Sequence, residues 1–206
     1  MILELDFGMG NIRSLEKAFE HLGAPIRVSS NAQDIKNATA LVLPGDGAFA
    51  QAMSEIKKRG MFEEIVSFVK SGRPTLGICI GFQVLFEESH EFENSRGFGF
   101  FQGKLKKFNS QNLDVPHMGW STTHVNGETK LLNGLSAKEF FYYVHSYRLA
   151  GSPLHNYATA SCDYDGEFVA VIEHENLFGT QFHPEKSHDS GLKLLENFIK
   201  ITQEYK

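Results

Sequence analysis

Two short stretches of the sequence carry residue types that together can perform nucleophilic chemistry. The first is Gly77-Ile78-Cys79-Ile80-Gly81, a cysteine between two glycines that directly follows an apolar run. The second is His183-Pro184-Glu185, in which one proline separates a histidine from a carboxylate. A thiol nucleophile needs an imidazole to take up and return protons, and the imidazole needs a carboxylate to fix its tautomer. The two stretches therefore predict a catalytic triad of Cys79, His183 and Glu185.

The cysteine motif has the form of a nucleophile elbow, with sulfur in place of a serine oxygen. An apolar run over residues 74–78 predicts a strand that ends at Cys79, and the pattern of residues 82–86 predicts a helix after it. The glycines allow the sharp turn between them, and the dipole of a following helix favours a thiolate. The backbone N–H of Ile80 is then placed to donate a hydrogen bond to an oxyanion. The alternative is a cysteine that is buried only for packing.

The histidine motif follows a second short apolar run and is predicted to be extended. Residues two apart in an extended chain point to the same side, so Glu185 is expected beside His183, and Pro184 stiffens the segment. The sequence contains nine histidines, so a surface turn is the alternative for this motif on its own. The cysteine and histidine motifs together are far more specific than either alone.

The elements that must position these residues alternate over the first half of the chain, which predicts an α/β fold with an open, mostly parallel sheet and helices on both faces. From residue 97 to 171, short aromatic and β-branched runs predict an antiparallel, strand-rich extension, and a last helix is predicted from Ser190 onward. No repeat or linker interrupts the pattern, so residues 1–206 are predicted to form a single domain. The predicted strands of the first half cover residues 2–5, 40–43 and 74–78, and its predicted helices cover residues 12–22, 48–56 and 62–69.

Composition and charge argue against several classes of function. The chain has 20 basic and 25 acidic residues, a formal net charge of −5 and a pI near 6.0, so no nucleic-acid partner is expected. No apolar run approaches the roughly 20 residues that span a bilayer, and the start of the chain lacks the basic residues of a secretory signal. Cys79 and Cys162 are too few and too far apart for a disulfide framework, so we expect a cytoplasmic protein with free thiols and no membrane partner.

No organic cofactor and no metal site is predicted. Gly8 and Gly10 have the spacing of the first two glycines of a dinucleotide-binding motif, but Arg13 stands where the third glycine belongs. The histidines lack cysteine or carboxylate partners at a spacing typical of zinc sites. His117 is expected to pack or to lie at the surface, and His145 is expected to hold the structure of its own segment.

The motif G-I-C-x-G followed by H-x-E resembles the class I glutamine amidotransferase family. Within that family, further segments resemble the glutaminase subunit of imidazole glycerol phosphate synthase, in order and over nearly the whole chain. The resemblance implies the flavodoxin-like sheet of class I glutaminases. The segments that carry it are residues 6–11, 44–49, 116–120, 142–147 and 181–187.

The resemblance implies a glutaminase reaction that supplies ammonia to a partner. Cys79 attacks the side-chain amide carbon of glutamine, His183 protonates the leaving ammonia, and water then cleaves the glutamyl thioester to release glutamate. The implied partner is a (β/α)8 cyclase barrel, bound as a heterodimer, which uses the ammonia to form imidazole glycerol phosphate and AICAR in histidine biosynthesis. The implied oxyanion donors are the backbone N–H groups of Ile80 and Asp46.

The same resemblance implies which residues contact the substrate and the partner. Ammonia must travel without loss to solvent, so the active site is expected to open onto the partner. Exposed aromatic side chains beside a cleft fit an interface, although ordinary core packing is the alternative for Trp120. The implied substrate-binding residues are Gly47, Gln83, Glu91, Ser146 and Tyr147, and the implied interface residues are Asn11, Trp120, Tyr142 and Lys186.

Asp46 departs from the family, which usually carries an apolar residue at this position. A carboxylate beside an oxyanion repels the charge that the site must stabilise. Only the backbone N–H is required there, so the side chain of Asp46 is expected to point away. The milder departures are Phe7, Ile80, Phe82 and Ser121, where the family usually has Tyr, Leu, Met and Asn.

Three alternatives remain at the level of the sequence. A paralogous glutaminase subunit would keep the chemistry and supply ammonia for the amidination of a cell-surface sugar. A non-catalytic docking subunit would not need Cys79, His183 and Glu185 intact. A stand-alone cysteine hydrolase would not need the segments at residues 116–120 and 142–147.

Overall fold

The computed structural model describes residues 1–91, 94–149 and 157–205. In chain order, the strands are β1 (Ile2–Leu5), β2 (Arg27–Ser29), β3 (Ala40–Leu43), β4 (Thr75–Ile78), β5 (Phe86–Ser89), β6 (Ser95–Arg96), β7 (Phe101–Lys107), β8 (His117–Val125), β9 (Lys138–His145), β10 (Tyr147–Leu149), β11 (Ala158–Asp163), β12 (Glu167–His174) and β13 (Leu177–Thr180). The helices are α1 (Ile12–His21), α2 (Ala32–Ile35), α3 (Phe49–Lys58), α4 (Phe62–Lys70), α5 (Ile80–Gln83) and α6 (His188–Glu204), with a 3₁₀ turn at Pro184–Lys186.

A mixed sheet forms the centre of the molecule, with nine strands in the order β2-β1-β3-β4-β13-β12-β11-β8-β9 among the described residues. The first five strands in this order pair in parallel, and the last four continue the sheet with antiparallel pairing. Every residue of β1, β3, β4 and β13 is buried, because both faces of the parallel half are covered. Because β3, β4 and β13 run in parallel, their carboxyl ends lie at the same edge of the sheet. Open α/β sheets bind ligands at this edge.

Helices cover both faces of the sheet, as the alternating pattern predicts. On one face, α3 and α4 pack against Leu3 and Leu5. On the other face, α1 and α6 pack against Ile2, Ile78 and Phe182. Helix α1 follows its sequence signals, since the side chain of Asn11 caps its start by accepting a hydrogen bond from the N–H of Ser14. No helix within the described ranges is long and apolar enough to cross a membrane.

The strand-rich extension is confirmed, and it is divided between two sheets. Strands β8, β9, β11 and β12 extend the main sheet, whereas a second sheet has the order β10-β7-β5-β6. Strand β5 pairs in parallel with β7, so the extension is not wholly antiparallel. Residues 150–156, which belong to the predicted extension, lie outside the described residues.

The helix predicted at residues 82–86 is wrong. Helix α5 ends at Gln83, and Phe86 begins β5, where it pairs with Phe101. The pattern was helical because Phe82, Leu85 and Phe86 are all apolar, but all three are buried whatever their secondary structure. These residues are apolar because they are buried in the tertiary structure. Their spacing is the same whether they form one continuous helix or a helical turn followed by a strand. The last helix also begins earlier than predicted, at His188.

Strand β1 carries a buried acid inside this core. Glu4 is fully buried, and neither of its carboxyl oxygens has a hydrogen-bond partner among the described residues. Burial, followed by the charges of Glu16, Glu185 and Asp6, raises the pKa of Glu4 to about 8. The folded protein therefore holds this proton over a pH range in which the unfolded chain has released it.

We expect the substitution Glu4→Leu to stabilise the protein, and to do so more at pH 8.5 than at pH 6. The folded-state pKa is raised above the ordinary value of 4.5, so the native state binds more protons than the unfolded state between pH 4.5 and about 8. Stability of the unsubstituted protein therefore falls as pH rises through that window. Urea unfolding should show a gain on the order of 3 kcal/mol at pH 8.5. Ile2→Leu on the same strand face is the control, and equal gains at both pH values would contradict the prediction.

Candidate active site

Cys79 stands at a sharp, strained turn between β4 and α5. Its φ of 51° and ψ of −104° put a non-glycine residue in the region of positive φ, which is costly and is concentrated at functional sites. The backbone N–H of Cys79 donates to the carbonyl of Thr180 at 2.8 Å, so the turn is tied to the end of β13. The thiol is almost fully buried and lies at the base of a cleft.

The two glycines around the cysteine are required by close backbone contacts. A Cβ on Gly77 would lie 2.5 Å from the carbonyl oxygen of Gly81. A Cβ on Gly81 would lie 1.9 Å from the carbonyl oxygen of Leu43, at the end of β3. The G-x-C-x-G pattern therefore reflects a turn pressed against the neighbouring strand, as well as conformational freedom.

The loop at residues 44–47 lies directly on the elbow. A Cβ on Gly45 would come within 2.6 Å of the Cβ of Ile80, so the loop approaches the residue after the nucleophile as closely as its backbone allows. Ile80 is the first residue of α5, and the N–H of a first helical residue has no acceptor within its own helix. The N–H of Ile80 and the loop thus border the same space above Cys79.

The structure brings His183 and Glu185 together. The Nδ1 atom of His183 lies 2.8 Å from Oε1 of Glu185, and both side chains are buried. The backbone N–H of His183 donates to the carbonyl of Tyr142, and Ser187 Oγ donates to the carbonyl of His183 at 2.6 Å. These contacts fix the backbone of His183 at both its N–H and its carbonyl, and so fix the position from which its imidazole extends.

The predicted extended geometry of this segment is wrong, although the contact it predicted is present. His183 itself is extended, but Pro184–Lys186 forms a 3₁₀ turn. Proline is favoured at the first position of a helical turn because it has no N–H to leave unpaired there. The carboxylate of Glu185 therefore reaches His183 by turning back toward it.

The surroundings of His183 favour its protonated form. Burial lowers its pKa, but the interaction with Cys79 and the hydrogen bond and charge of Glu185 outweigh burial and raise the pKa to about 10. Its Nε2 atom has no hydrogen-bond partner among the described residues. With Nδ1 held by Glu185, Nε2 is the nitrogen left to exchange a proton with a reacting group.

Asp46 points into the site, against the expectation that its side chain would turn away. Its Oδ1 atom lies 3.5 Å from Nε2 of His183 and 4.0 Å from Nζ of Lys186. Lys186 and the protonated form of His183 both attract this carboxylate. The expectation considered only repulsion from an oxyanion, and that charge arises only during a reaction.

The cleft has a volume of about 450 Å³ and collects most of the residues singled out from the sequence. It lies between the carboxyl ends of β3 and β4, strand β9 and the segment that leads into β10. His183 and Glu185 lie behind its wall. Its lining includes ten of the predicted residues, which are Asp46, Gly47, Cys79, Ile80, Gln83, Glu91, Tyr142, Ser146, Tyr147 and Lys186.

Two polar residues of the cleft are already held in place. Gln83 is buried, and its Nε2 donates to the carbonyl of Tyr147 and to Oε1 of Gln181, each at 3.0 Å. Glu91 accepts a hydrogen bond from the N–H of Phe49 at 2.7 Å and so caps the first turn of α3. Both side chains therefore present fixed polar groups to a ligand.

Three further groups belong to the cleft or lie near the thiol, and the sequence assigned none of them to the site. Gln181 is buried, and its Nε2 lies 3.9 Å from the sulfur of Cys79. The carbonyl oxygen of Val144 lies 3.8 Å from the same sulfur. His145 lines the cleft and pairs with the buried His117 at 3.1 Å. Only Gln181 had a signal in the sequence, since it stands two residues before His183 near the end of a strand.

The pair of His117 and His145 is neutral. Burial lowers the pKa of His117 to about 4, and burial followed by neighbouring charges lowers the pKa of His145 to about 3. His117 also contacts Oγ of Ser121 at 2.7 Å and stacks on Tyr164. The packing role expected for both histidines fits this arrangement.

The four residues implied at a partner interface are all exposed or half-buried. Trp120 is 44% exposed, stacks on His188 and faces Tyr142 across the β8–β9 pair. Core packing, the alternative for Trp120, is therefore wrong. Met118 and Phe140, which are 62% and 59% exposed, extend the same sheet face. Tyr142 and Lys186 line the cleft, and Asn11 caps α1.

The described part of the chain contains no group of three or more His, Cys, Asp or Glu side chains that could hold a metal ion. Cys79 and Cys162 are both free and buried. The arrangement is a cysteine sulfur and an imidazole with a raised pKa, with a carboxylate behind the imidazole. Such a group of residues can attack a carbonyl carbon and pass a proton to a leaving group.

Comparison with known proteins gives full-length matches. The family model described as "Glutamine amidotransferase class-I" matches residues 3–201. The chain is 42% identical over 204 residues to the imidazole glycerol phosphate synthase subunit HisH of Desulfitobacterium hafniense (strain DSM 10664 / DCB-2), covering 99% of this chain and 96% of that protein. It is 41% identical over 203 residues to the protein of the same name from Methanosarcina acetivorans, covering 97% and 98%.

Solved structures share the fold at low identity. One titled as a glutamine amidotransferase has a TM-score of 0.77 at 15% identity, covering 98% of this chain and 100% of that chain. PurLQS from Thermotoga maritima has a TM-score of 0.76 at 18% identity, covering 97% of each chain. At these identities the likeness concerns the fold, and it confirms the predicted fold class.

We expect Gly81→Ala to destabilise the protein, because the added Cβ would lie 1.9 Å from the carbonyl oxygen of Leu43 and that backbone cannot move freely. The loss of unfolding free energy in urea should be at least about 3 kcal/mol. Gly99→Ala is the control, because its Cβ meets no atom within 4 Å and its cost is limited to about 1 kcal/mol of backbone strain. Similar losses for the two variants would show that the contact with β3 is not required.

Proposed function

The chain belongs to the class-I glutamine amidotransferase family, and on this premise we propose that Cys79, His183 and Glu185 carry out its glutaminase reaction. The observation that carries the proposal is the buried contact of 2.8 Å between His183 Nδ1 and Glu185 Oε1, which leaves Nε2 available beside the strained turn of Cys79. This arrangement supports the roles proposed for His183 as the proton carrier and for Glu185 as the group that orients it.

The reaction proceeds in two steps. The sulfur of Cys79 attacks the side-chain amide carbon of glutamine, and the tetrahedral intermediate collapses to a glutamyl thioester as His183 gives its proton to the leaving ammonia. Water then attacks the thioester carbon, His183 takes a proton from it, and the carbon–sulfur bond breaks to release glutamate and restore the thiolate–imidazolium pair. The pKa of His183 is raised, so its imidazole is protonated at neutral pH and can give the proton that the first step requires.

The oxyanion of both intermediates is proposed to accept hydrogen bonds from the N–H groups of Ile80 and Asp46. The close packing of Gly45 on Ile80 supports this role, because it brings the loop at residues 44–47 over the elbow. Preorganised donors of this kind contribute most when they cannot relax away from the developing charge, and loss of one typically costs about 100- to 1,000-fold in rate.

Glutamine is proposed to lie in the cleft with its side-chain amide over the sulfur. Gly47, Gln83 and Glu91, together with backbone groups of Ser146 and Tyr147, would hold its head group. All five line the cleft, which supports the assignment. Both N–H groups of the Gln83 amide already donate to Tyr147 and Gln181, so its Oε1 and the carboxylate of Glu91 offer acceptors to the ammonium group of an amino acid.

We propose a (β/α)8 cyclase barrel as the partner, bound as a heterodimer through Asn11, Trp120, Tyr142 and Lys186. The relatives are named as a subunit of imidazole glycerol phosphate synthase, which supports this partner and the use of the ammonia in histidine biosynthesis. The exposed apolar residues beside the cleft also support it, since such a patch is typical of an interaction surface. Free buried thiols suit a cytoplasmic location.

The alternatives differ from this proposal in partner or in chemistry. Supplying ammonia for sugar amidination would use the same site with another partner, and a docking subunit would not need the intact triad. Complementation separates the first alternative: the gene, supplied with its cyclase gene, should restore growth of a histidine auxotroph that lacks the glutaminase subunit. Failure with both proteins expressed and bound to each other would favour the sugar pathway.

The nucleophile is tested by Cys79→Ala. With a cyclase barrel that carries its ligand, the unsubstituted chain should release glutamate from glutamine, and the variant should lose at least about 1,000-fold because no other thiol reaches the cleft. Cys162→Ala, which removes the other buried thiol, should retain activity. Equal glutamate release by the Cys79 variant would refute the mechanism.

The side chain of Asp46 is tested by Asp46→Asn. Removing a negative charge 3.5 Å from Nε2 of His183 should raise kcat by about 3- to 10-fold, because that charge repels the oxyanion and holds the imidazolium. KM should change less than kcat. Asp34→Asn, at a surface ion pair with Arg27, is the control. A fall in kcat for the Asp46 variant would show that the carboxylate assists the reaction.

A further inference from the structure

Glu4 is a buried acid that the reaction described above does not use. It lies on β1 with its side chain on the same face as Ile2, which packs in the layer of α1 and α6. Ile78, Cys79 and Phe182 belong to the same layer. Both carboxyl oxygens of Glu4 are buried without a hydrogen-bond partner among the described residues, which is unusual for a native core.

Glu185, the carboxylate of the proposed triad, also has a buried oxygen without a hydrogen-bond partner among the described residues. Oε1 of Glu185 contacts His183, but Oε2 is buried and has no partner among the described residues. The 3₁₀ turn that carries Glu185 packs against α1, which covers the same sheet face as Glu4. After burial and Glu16, the charge of Glu185 is the next largest cause of the raised pKa of Glu4.

We propose that Glu4 is a positioning residue for the triad: its carboxylic acid donates a hydrogen bond to Oε2 of Glu185, directly after a small side-chain rotation or through one buried water. This inference rests on the proposed glutaminase function of the site. The acid satisfies the free oxygen of Glu185, which fixes the plane of the carboxylate and through it the ring of His183. Only the protonated form of Glu4 has a hydrogen to donate.

The surroundings of Glu4 keep it protonated at neutral pH. The charged groups that act on it are Glu16 from α1, Glu185 from the 3₁₀ turn and Asp6 from its own strand, and all of them are acidic. Burial, followed by these charges, raises its pKa to about 8. Two neighbouring carboxyl groups in a low-dielectric site share one proton in the same way.

Ionisation of Glu4 would then act on the reaction through Glu185. Above pH 8 the hydrogen bond is lost and two buried carboxylates repel each other, which moves Glu185 away from its position behind His183. The rate of thioester formation should fall, whereas binding of glutamine in the cleft should change little. The signature is therefore an alkaline limb in kcat rather than in KM.

The experiment compares the pH profile of glutamate release between pH 6.5 and 9.5 for the unsubstituted chain, Glu4→Gln and Glu4→Leu, each in complex with a liganded cyclase barrel. The unsubstituted chain should lose kcat by about tenfold per pH unit above pH 8. Glu4→Gln can still donate a hydrogen bond but cannot ionise, so it should retain at least a third of kcat at pH 7 and lack this limb. Glu4→Leu should be slower than Glu4→Gln at every pH. Superimposable profiles for the unsubstituted chain and Glu4→Gln would overturn the proposal.

A second measurement separates failure of this inference from failure of the proposed function. Carbon-13 NMR of the glutamate side-chain carboxyls in the isolated full chain, assigned with Glu4→Gln and Glu185→Gln, should show Glu4 titrating near pH 8. The Glu185 resonance should shift with the same midpoint, and that shift should vanish in Glu4→Gln. An inactive protein with coupled resonances would overturn only the proposed function. An active protein with uncoupled resonances would overturn only the role of Glu4.

Discussion

The close approach of Gly81 to the end of β3 is the contact on which the site depends. The chain leaves β4 at Cys79 and must turn within the space between β3 and β13, where the carbonyl oxygen of Leu43 leaves no room for a Cβ. The turn can be made only with Cys79 in a strained conformation and with glycines on either side. The thiol is thus presented at the carboxyl edge of the sheet because the neighbouring strands permit no other path.

The charges of the site are arranged around a buried imidazolium. His183 loses hydration by burial, and a hydrogen-bonded Glu185 behind it and negative charge on Cys79 restore its positive form. Asp46, on the far side of Nε2, adds another acid that is tied to Lys186. A cation surrounded by acids can hold its proton until a leaving group accepts it, which suits the role proposed for His183.

The surface beside the cleft reflects a different constraint. Ammonia released inside the cleft is useful only if it avoids bulk water, so an opening covered by a second protein is favoured. Trp120, Met118 and Phe140 are exposed on one sheet face next to Tyr142, which lines the cleft. A cluster of exposed apolar side chains stabilises a complex when a partner protein buries it, and it reduces solubility when no partner is bound. The exposed apolar face of β8 and β9 thus lies beside the cleft that contains Cys79.

The sequence by itself determined the parts that depend on local spacing. Alternating apolar strands and helices predicted the parallel sheet, and the cysteine and histidine motifs predicted a triad at its edge. The helix expected at residues 82–86 failed because buried phenylalanines have the same spacing in a turn followed by a strand. Tertiary structure alone decided that Asp46 faces His183 and that Glu4 is buried without a hydrogen-bond partner among the described residues, because both depend on which distant segments meet. Side-chain direction and buried charge are set by neighbours far along the chain, and no local pattern records them.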